Sequence, residues 1–199
     1  LDGRFMDAFL MPFFGRGATY KKRYTDEMVP FGHHIQQDVQ RLYYLHFLRT
    51  NELERWFQYM EPRMSDWTVV RRLQRLIFDD LGYPMAWAIE KAKRTFSESA
   101  TTRFTFDEFY SDSLDISLDV ERDVFSAHSE PLLSSYRDAI DLALDRAGLT
   151  PDDIDDVFLT GGTSQLPFIR ELFVKKLGAD KLRSADSFTS VCEGLALSG

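Results

Sequence analysis

Apolar residues recur every three or four positions from the start of the chain to about residue 100, the spacing that aligns side chains on one helix face. This series predicts a helix over residues 1–14 that ends at Gly15 and Gly17. It also predicts one long helix, or two with a joint near Thr50, over residues 35–60. A basic loop at residues 21–23 is expected to lie between them. The first half of the chain is therefore expected to be mainly helical.

Two further helices are predicted before residue 100. Ser65 and Asp66 are candidate N-caps for a helix over residues 67–81, and Pro84 suits the first turn of another over residues 84–97. On the second helix, apolar positions 85, 89, 92 and 96 fall within an arc of about 60°, and polar positions 90, 93, 94 and 97 within an adjacent arc of about 100°. The apolar face is expected to pack against the rest of the protein, while the adjacent face presents charged side chains.

The period of the pattern changes to two after residue 100. Residues 102–106 and 114–120 alternate between apolar and polar side chains, which predicts two antiparallel strands. A helical stretch follows to Gly148, with a break expected at Pro131. Further predictions are a short buried strand at residues 157–160 and helices at residues 166–177 and 189–198. Together these elements indicate a mixed α/β protein.

Composition and charge narrow the class of protein. The chain has 199 residues, of which 44% are hydrophobic and 14% aromatic, enough apolar mass for one large folded domain or two small ones. Its net charge of -8 argues against binding to nucleic acid. No apolar stretch approaches the roughly 20 residues of a membrane span. The single cysteine, Cys192, cannot form an intramolecular disulfide, which favours a cytoplasmic location.

No catalytic or metal-binding residue is predicted. Adjacent histidines at 33 and 34 point in divergent directions and lack a suitably spaced partner. The aspartates at 152, 153, 155 and 156 lack the glycine and terminal glutamate of a calcium loop. Cys192 is expected to be a small core residue, and the basic loop at residues 21–23 a solvated surface.

Two features carry candidate chemistry. Gly161 and Gly162 follow a predicted strand and precede a helix, an arrangement that lets the backbone approach an anion or a sugar hydroxyl but that also occurs in simple tight turns. Glu90, Lys93 and Arg94 share one helix face, and such clusters are commonly solvated, with an i,i+4 pair worth only tenths of a kcal/mol. Taken separately, neither feature shows whether its residues bind a ligand or have only a structural role.

The two features belong to longer stretches that lie on either side of the predicted strands and long helix. These stretches are Glu90-Lys91-Ala92-Lys93-Arg94-Thr95-Phe96-Ser97 and Ala147-Gly148-Leu149-Thr150-Pro151-Asp152-Asp153-Ile154-Asp155-Asp156-Val157-Phe158-Leu159-Thr160-Gly161-Gly162. In that order and spacing they resemble the DnaK-type heat-shock chaperone ATPases of the actin-like superfamily. The opening Leu1-Asp2 and Leu10-Met11-Pro12 further resemble the divergent, short DnaK-like branch that includes the YegD proteins.

The resemblance implies an α/β fold, that of the second lobe of an actin-like ATPase domain. It implies an outer subdomain of helices and a two-stranded hairpin over residues 1–120, and part of an inner α/β subdomain over residues 121–199. Residues that match the family's adenosine-contacting positions are Glu90, Lys93, Arg94, Ser97, Gly161, Gly162, Thr163 and Gln165. The arginine of this set would lie flat on the adenine, an attraction worth roughly 0.5 to 2 kcal/mol. The glycine turn would face the adenosine and the α-phosphate.

The resemblance also implies what the whole protein does. It would bind ATP or ADP with magnesium between two lobes, hydrolyse ATP slowly and act on client or co-chaperone proteins. The phosphate loops and catalytic acids of the family would lie upstream of Leu1, so the chain is expected to be a fragment that is inactive alone. A pseudo-ATPase scaffold or regulator is the alternative. It is favoured by Gln165, where the family commonly has arginine, and by Phe188, where it usually has a Pro-Asp-Glu stretch.

Overall fold

The computed structural model describes residues 1–106 and 114–184. The chain begins with a continuous helical segment made of helix α1 (Asp2–Phe5), a π-helical turn (Met6–Leu10) and a 3-10 turn (Met11–Phe14). It ends as predicted at Gly15, whose φ of 100° lies in the left-handed region that favours glycine. One apolar side of this segment is fully buried, at Phe5, Met6, Leu10, Met11 and Phe14.

A small antiparallel hairpin follows, formed by strands β1 (Thr19–Lys21) and β2 (Met28–Pro30). The sequence predicted only a basic loop here, and that prediction was incomplete because Lys21 is the last residue of β1. Strands of three residues are too short to show a clear alternation of apolar and polar side chains.

Residues 33–60 form three short helical pieces, which are helix α2 (His33–Asp38), a 3-10 turn (Leu42–Leu48) and helix α3 (Asn51–Met60). The predicted joint is confirmed, since the Thr50 hydroxyl accepts a hydrogen bond from the Leu53 amide at 3.1 Å and caps α3. The prediction of continuous helix before the joint was wrong. Before the joint, the periodic residues Ile35, Val39, Leu42 and Leu45 are buried as expected, but burial can also be achieved by a 3-10 turn.

Helices α4 (Thr68–Phe78) and α5 (Gly82–Thr95) correspond to the next two predicted helices. The Asp66 carboxylate accepts a hydrogen bond from the Thr68 amide at 2.9 Å just before α4. The N-cap of α4 is Trp67, however, so the prediction of Ser65 or Asp66 as the N-cap was wrong by one or two residues. The packing face predicted for α5 is confirmed, because Met85, Ile89, Ala92 and Phe96 are all buried. A Cβ atom at Gly82 would stand 2.2 Å from the Leu42 carbonyl oxygen, so glycine is required where α5 crosses the 3-10 turn Leu42–Leu48.

Strands β3 (Thr101–Phe106) and β4 (Ile116–Glu121) pair antiparallel, as predicted. They lead into helix α6 (Arg122–Ala147), which runs unbroken for 26 residues and ends at Gly148. The predicted break at Pro131 was wrong. Pro131 has no amide hydrogen to donate to the carbonyl of Ala127, four residues earlier. Both residues lie on the exposed side of α6, so that carbonyl faces water.

Strand β5 (Val157–Leu159) pairs in parallel with strand β6 (Leu182–Ser184), and helix α7 (Pro167–Leu177) connects them. The predicted strand is only partly buried, because Leu159 is buried whereas Phe158 is 65% exposed. Strand β6 was not predicted. The predicted helix over residues 189–198, together with Cys192 and Phe188, lies outside the described residues.

The core contains a cluster of aromatic rings around Phe5 of α1. Its ring lies 5.5 Å from those of Phe104 and Phe125, and the ring of Phe125 in turn lies 5.5 Å from that of Phe168 on α7. The cluster therefore joins α1, β3, α6 and α7 and sets the position of α7 relative to the first part of the chain. Within the two described ranges, no helix is long and apolar enough to cross a membrane.

Candidate functional site

The structure brings together the two features that the sequence identified separately. Oxygen Oε1 of Glu90, on α5, lies 3.2 Å from the point where a Cβ atom at Gly162 would stand. A side chain at position 162 would therefore press on the Glu90 carboxylate. Glycine at position 162 avoids this contact and so leaves room for α5 and the glycine turn to lie close together.

The glycine turn joins β5 to α7 and has a conformation that its sequence explains. Gly161 has φ 85° and ψ 154°, a combination that residues with a side chain rarely adopt. The 3-10 turn Gly162–Gln165 follows, and the hydroxyl of Ser164 donates a hydrogen bond to the Gly161 carbonyl at 2.7 Å. Thr163 is half-buried and Gln165 is exposed. The backbone of this turn is thus held in place next to Glu90.

Lys93 lies at the centre of an ionic cluster on the inner side of the site. Its side chain is only 7% exposed, and its ammonium group donates hydrogen bonds to Asp2 Oδ1 at 2.7 Å and to Glu90 Oε2 at 2.6 Å. Burial lowers the pKa of Lys93, but the hydrogen bonds to Asp2 and Glu90 and the charges of these carboxylates outweigh it and raise the pKa above its ordinary value. Lys93 is therefore charged and fixed.

Asp2 is a member of this cluster that sequence reasoning missed as a site residue. It comes from α1 and meets α5 only in the folded structure, where the Tyr43 hydroxyl also lies 3.5 Å from its Oδ2 atom. Burial, and then the negative charge of Asp2, raise the pKa of Tyr43. The only signal for Asp2 in the sequence was its place in the opening Leu1-Asp2 pair that resembles the family.

Arg94 and Ser97 lie at the outer edge of the site. The Arg94 side chain is 64% exposed, and its Nε atom lies 4.0 Å from Glu90 Oε1. The hydroxyl of Ser97, just after the end of α5, donates a hydrogen bond to the Arg94 carbonyl at 2.6 Å. The Arg94 guanidinium thus lies near Glu90 on a surface that solvent reaches, where a planar ligand could stack on it.

The chemistry that this arrangement offers is recognition. A carboxylate accepts hydrogen bonds from hydroxyl groups, a guanidinium stacks on flat rings, and a glycine turn allows close contact with its backbone. Across residues 1–106 and 114–184, no group of three His, Cys, Asp or Glu side chains is arranged to hold a metal ion.

Comparisons with known proteins identify a family and individual relatives of this chain. The sequence profile of the Hsp70 protein family matches residues 84–199, which include both α5 and the glycine turn. A heat shock protein homolog of Lachancea kluyveri is 28% identical over 109 residues, 55% of this chain and 16% of that protein. The chaperone protein DnaK of Thermus thermophilus is 31% identical over 115 residues, 55% of this chain and 19% of that protein. The matched region thus covers less than a fifth of the length of either relative.

Proposed function

The chain belongs to the Hsp70 family, and we propose that it forms the adenosine-contacting wall of a DnaK-like chaperone ATPase. The observation that carries this proposal is the 3.2 Å approach between Glu90 and the Cβ position of Gly162. This approach places α5, which carries the candidate base-binding and sugar-binding residues, next to the glycine turn. In this proposal, residues 1–120 are the outer subdomain of the second lobe and residues 121–199 are part of the inner one.

Each side chain of the site takes a distinct role in the proposal. Arg94 stacks on the adenine, and Glu90 accepts hydrogen bonds from hydroxyl groups of the ribose. Ser97 supports the backbone beneath Arg94 through its hydrogen bond to the Arg94 carbonyl. Gly161 and Gly162 let the turn approach the nucleotide, with Thr163 and Gln165 beside them. These roles follow from the exposure of Arg94 and from the position of Glu90 next to the turn.

Lys93 acts in this scheme as a positioning residue. Its ammonium group donates to both Asp2 and Glu90, at 2.7 and 2.6 Å. A carboxylate that accepts from a fixed ammonium group keeps one orientation, so Lys93 holds one oxygen of Glu90 and leaves the other directed at the glycine turn. Asp2 extends the same function because it holds Lys93 from the side of α1.

The whole protein would bind ATP or ADP with magnesium and act on client or co-chaperone proteins. The match to its relatives covers less than a fifth of their length, so the phosphate loops and catalytic residues would come from other parts of the protein. The chain alone would then have no ATPase activity. Its opening residues support the branch that includes the YegD proteins, and its single Cys192 supports a cytoplasmic location.

A pseudo-ATPase scaffold is the second candidate function, and one residue favours it. Gln165 is neutral and exposed where the resemblance leads one to expect a second arginine. An adenine at this site would lose one of its two flat cationic partners, which would lower its affinity.

Isothermal titration of ATP into the full-length protein that carries this chain tests the proposal. We expect Arg94→Ala to weaken binding about five- to thirtyfold, the equivalent of roughly 1 to 2 kcal/mol. Arg103→Ala is the matched control, because Arg103 is 60% exposed and likewise paired with a carboxylate, that of Asp119, but lies on β3. An unchanged dissociation constant in Arg94→Ala would contradict the proposed role. If neither the wild type nor the two variants give a heat of binding, the result would favour the pseudo-ATPase.

A further inference from the structure

A positively charged groove lies between the hairpin and the segment that follows α3, outside the residues matched by the Hsp70 profile. We call it the basic groove. It has a volume of about 560 Å³. The side chains that the argument uses are Lys21, Lys22, Arg23, Tyr24, Pro62 and Arg63. A cationic surface of this kind is unexpected on a chain whose net charge is -8, and the proposed nucleotide site makes no use of it.

The two lysines of the groove already have anionic partners within the hairpin. Lys21 forms an ion pair with Asp26, and Lys22 Nζ lies 3.4 Å from Glu27 Oε2. These pairs are exposed, and each contributes little to stability. They neutralise the lysines in part, so the free positive charge of the groove resides mainly on its arginines.

The guanidinium groups of the two arginines lie over tyrosine rings. The Cζ atom of Arg23 lies 4.7 Å from the ring centre of Tyr24, and that of Arg63 lies 3.8 Å from the ring centre of Tyr59. Arg63 also donates a hydrogen bond to the Tyr59 carbonyl at 2.5 Å. Within the described part of the chain, no carboxylate forms an ion pair with either guanidinium. A guanidinium stacked in this way has one face covered, while its remaining N–H donors can bind a carboxylate.

Hydrogen bonds fix the two walls of the groove relative to one another. The Ser65 amide and the Ser65 hydroxyl each donate to the Thr19 carbonyl at 2.9 Å, and Tyr20 forms a β-bridge with Met64. These contacts tie the start of the hairpin to the residues directly after Arg63. A site whose walls are held before binding loses less entropy when a ligand arrives.

We propose that the basic groove binds an acidic segment of a partner protein. Two carboxylate side chains of that segment would be held by Arg23 and Arg63, and an apolar side chain between them would pack against Tyr24 and Pro62. Tyr24 as a whole residue is 87% exposed and therefore accessible to such a contact. The overall negative charge of the chain repels a long polyanion such as nucleic acid, whereas a short acidic segment meets mainly the local positive charge.

Fluorescence anisotropy on the purified 199-residue chain tests this proposal. The probe is a short fluorescein-labelled peptide of alternating glutamate and phenylalanine, and the controls are its glutamine analogue and a single-stranded oligonucleotide of equal charge. We expect the glutamate peptide to bind most tightly. Arg23→Ala and Arg63→Ala should each weaken its binding at least about fivefold, as loss of a charge-assisted hydrogen-bonded pair does.

Two further sets of variants separate a built site from general attraction between charges. Arg23→Lys and Arg63→Lys keep the charge but lose the planar fork, and we expect each to weaken binding about threefold or more. Arg71→Ala should leave binding unchanged, because Arg71 also lies over an aromatic ring, that of Trp67, but is already paired with Glu61 at 2.8 Å. Far-UV circular dichroism shows whether each variant is folded.

Several results would overturn the proposal. They are no binding of the glutamate peptide to the wild type, full binding by folded Arg23→Ala and Arg63→Ala chains, and full binding by the lysine variants. Binding of the oligonucleotide as tight as that of the peptide would also overturn it, because it would show a preference for polyanions rather than for carboxylates.

Discussion

Replacement of Lys93 by methionine is the perturbation whose effect on stability the structure defines best. Methionine keeps an unbranched side chain of similar length but removes the ammonium group between Asp2 and Glu90. Loss of one partner from a fully buried ion pair costs about 3 to 5 kcal/mol, because a charge is left uncompensated. Here the carboxylates are 22% and 32% exposed, so water compensates them in part. We therefore expect the free energy of unfolding to fall by about 2 kcal/mol.

Urea denaturation followed by far-UV circular dichroism measures this loss. Small proteins lose about 1 to 3 kcal/mol of stability per molar urea, so a loss of about 2 kcal/mol should lower the midpoint by about 1 M. Lys91→Met is the matched control, because Lys91 lies on the same helix but is exposed, and its replacement should change stability by less than about 0.5 kcal/mol. Equal midpoints for Lys93→Met and Lys91→Met would refute the reasoning.

The pH dependence of the difference in unfolding free energy between wild type and Lys93→Met provides an independent test. The pKa of Lys93 is raised in the folded protein, so its contribution is fully present below the pKa of an unfolded lysine, about 10.4. That contribution is lost as the pH rises further, through the folded pKa. The gap in stability between wild type and Lys93→Met should therefore be constant near neutral pH and shrink above about pH 10.4. A gap that stays constant into this alkaline range would contradict the assigned ion pairs.

Three further substitutions test other parts of the account. Pro131→Ala should restore the hydrogen bond to the Ala127 carbonyl and stabilise the protein by about 1 to 3 kcal/mol, and a melting temperature that is unchanged or lower would be evidence against a regular α6. Gly161→Ala should destabilise by about 1 to 2 kcal/mol in urea titrations, because its φ of 85° disfavours a side chain; a smaller loss would show that the turn can relax. Gln165→Arg should tighten ATP binding to the full-length protein about two- to fivefold in calorimetry, by adding a second flat cation; weaker binding would indicate that position 165 does not face the base.

The sequence predicted those parts of the fold in which the spacing of apolar residues matches the face that is buried. The buried face of α5 followed from its helical spacing, because this amphipathic helix packs one side against the core. Strands β3 and β4 were predicted for the same reason, since their alternation matches a sheet with one face buried. The glycine turn was found because two glycines follow a predicted strand and precede a helix, and the positive φ of Gly161 agrees with that reasoning.

The parts that were missed depend on contacts between distant segments. Lys93 was assigned to a charged face, yet it is buried because α1 brings Asp2 over it. No local pattern encodes that contact. The β1–β2 hairpin and strand β6 consist of three-residue strands, which are too short to have a measurable period. The continuity of α6 through Pro131 depends on the exposed position of Ala127, which sequence alone does not reveal.

Photolabelling with an 8-azidoadenosine nucleotide tests the central claim most directly. The full-length protein that carries this chain would be irradiated with the labelled nucleotide, digested and mapped by mass spectrometry, with and without excess ATP. If α5 and the glycine turn form the adenosine wall, labels that ATP suppresses should fall within residues 90–97 or 161–165. Labels confined to other segments, or labels in these segments that excess ATP does not suppress, would contradict the claim.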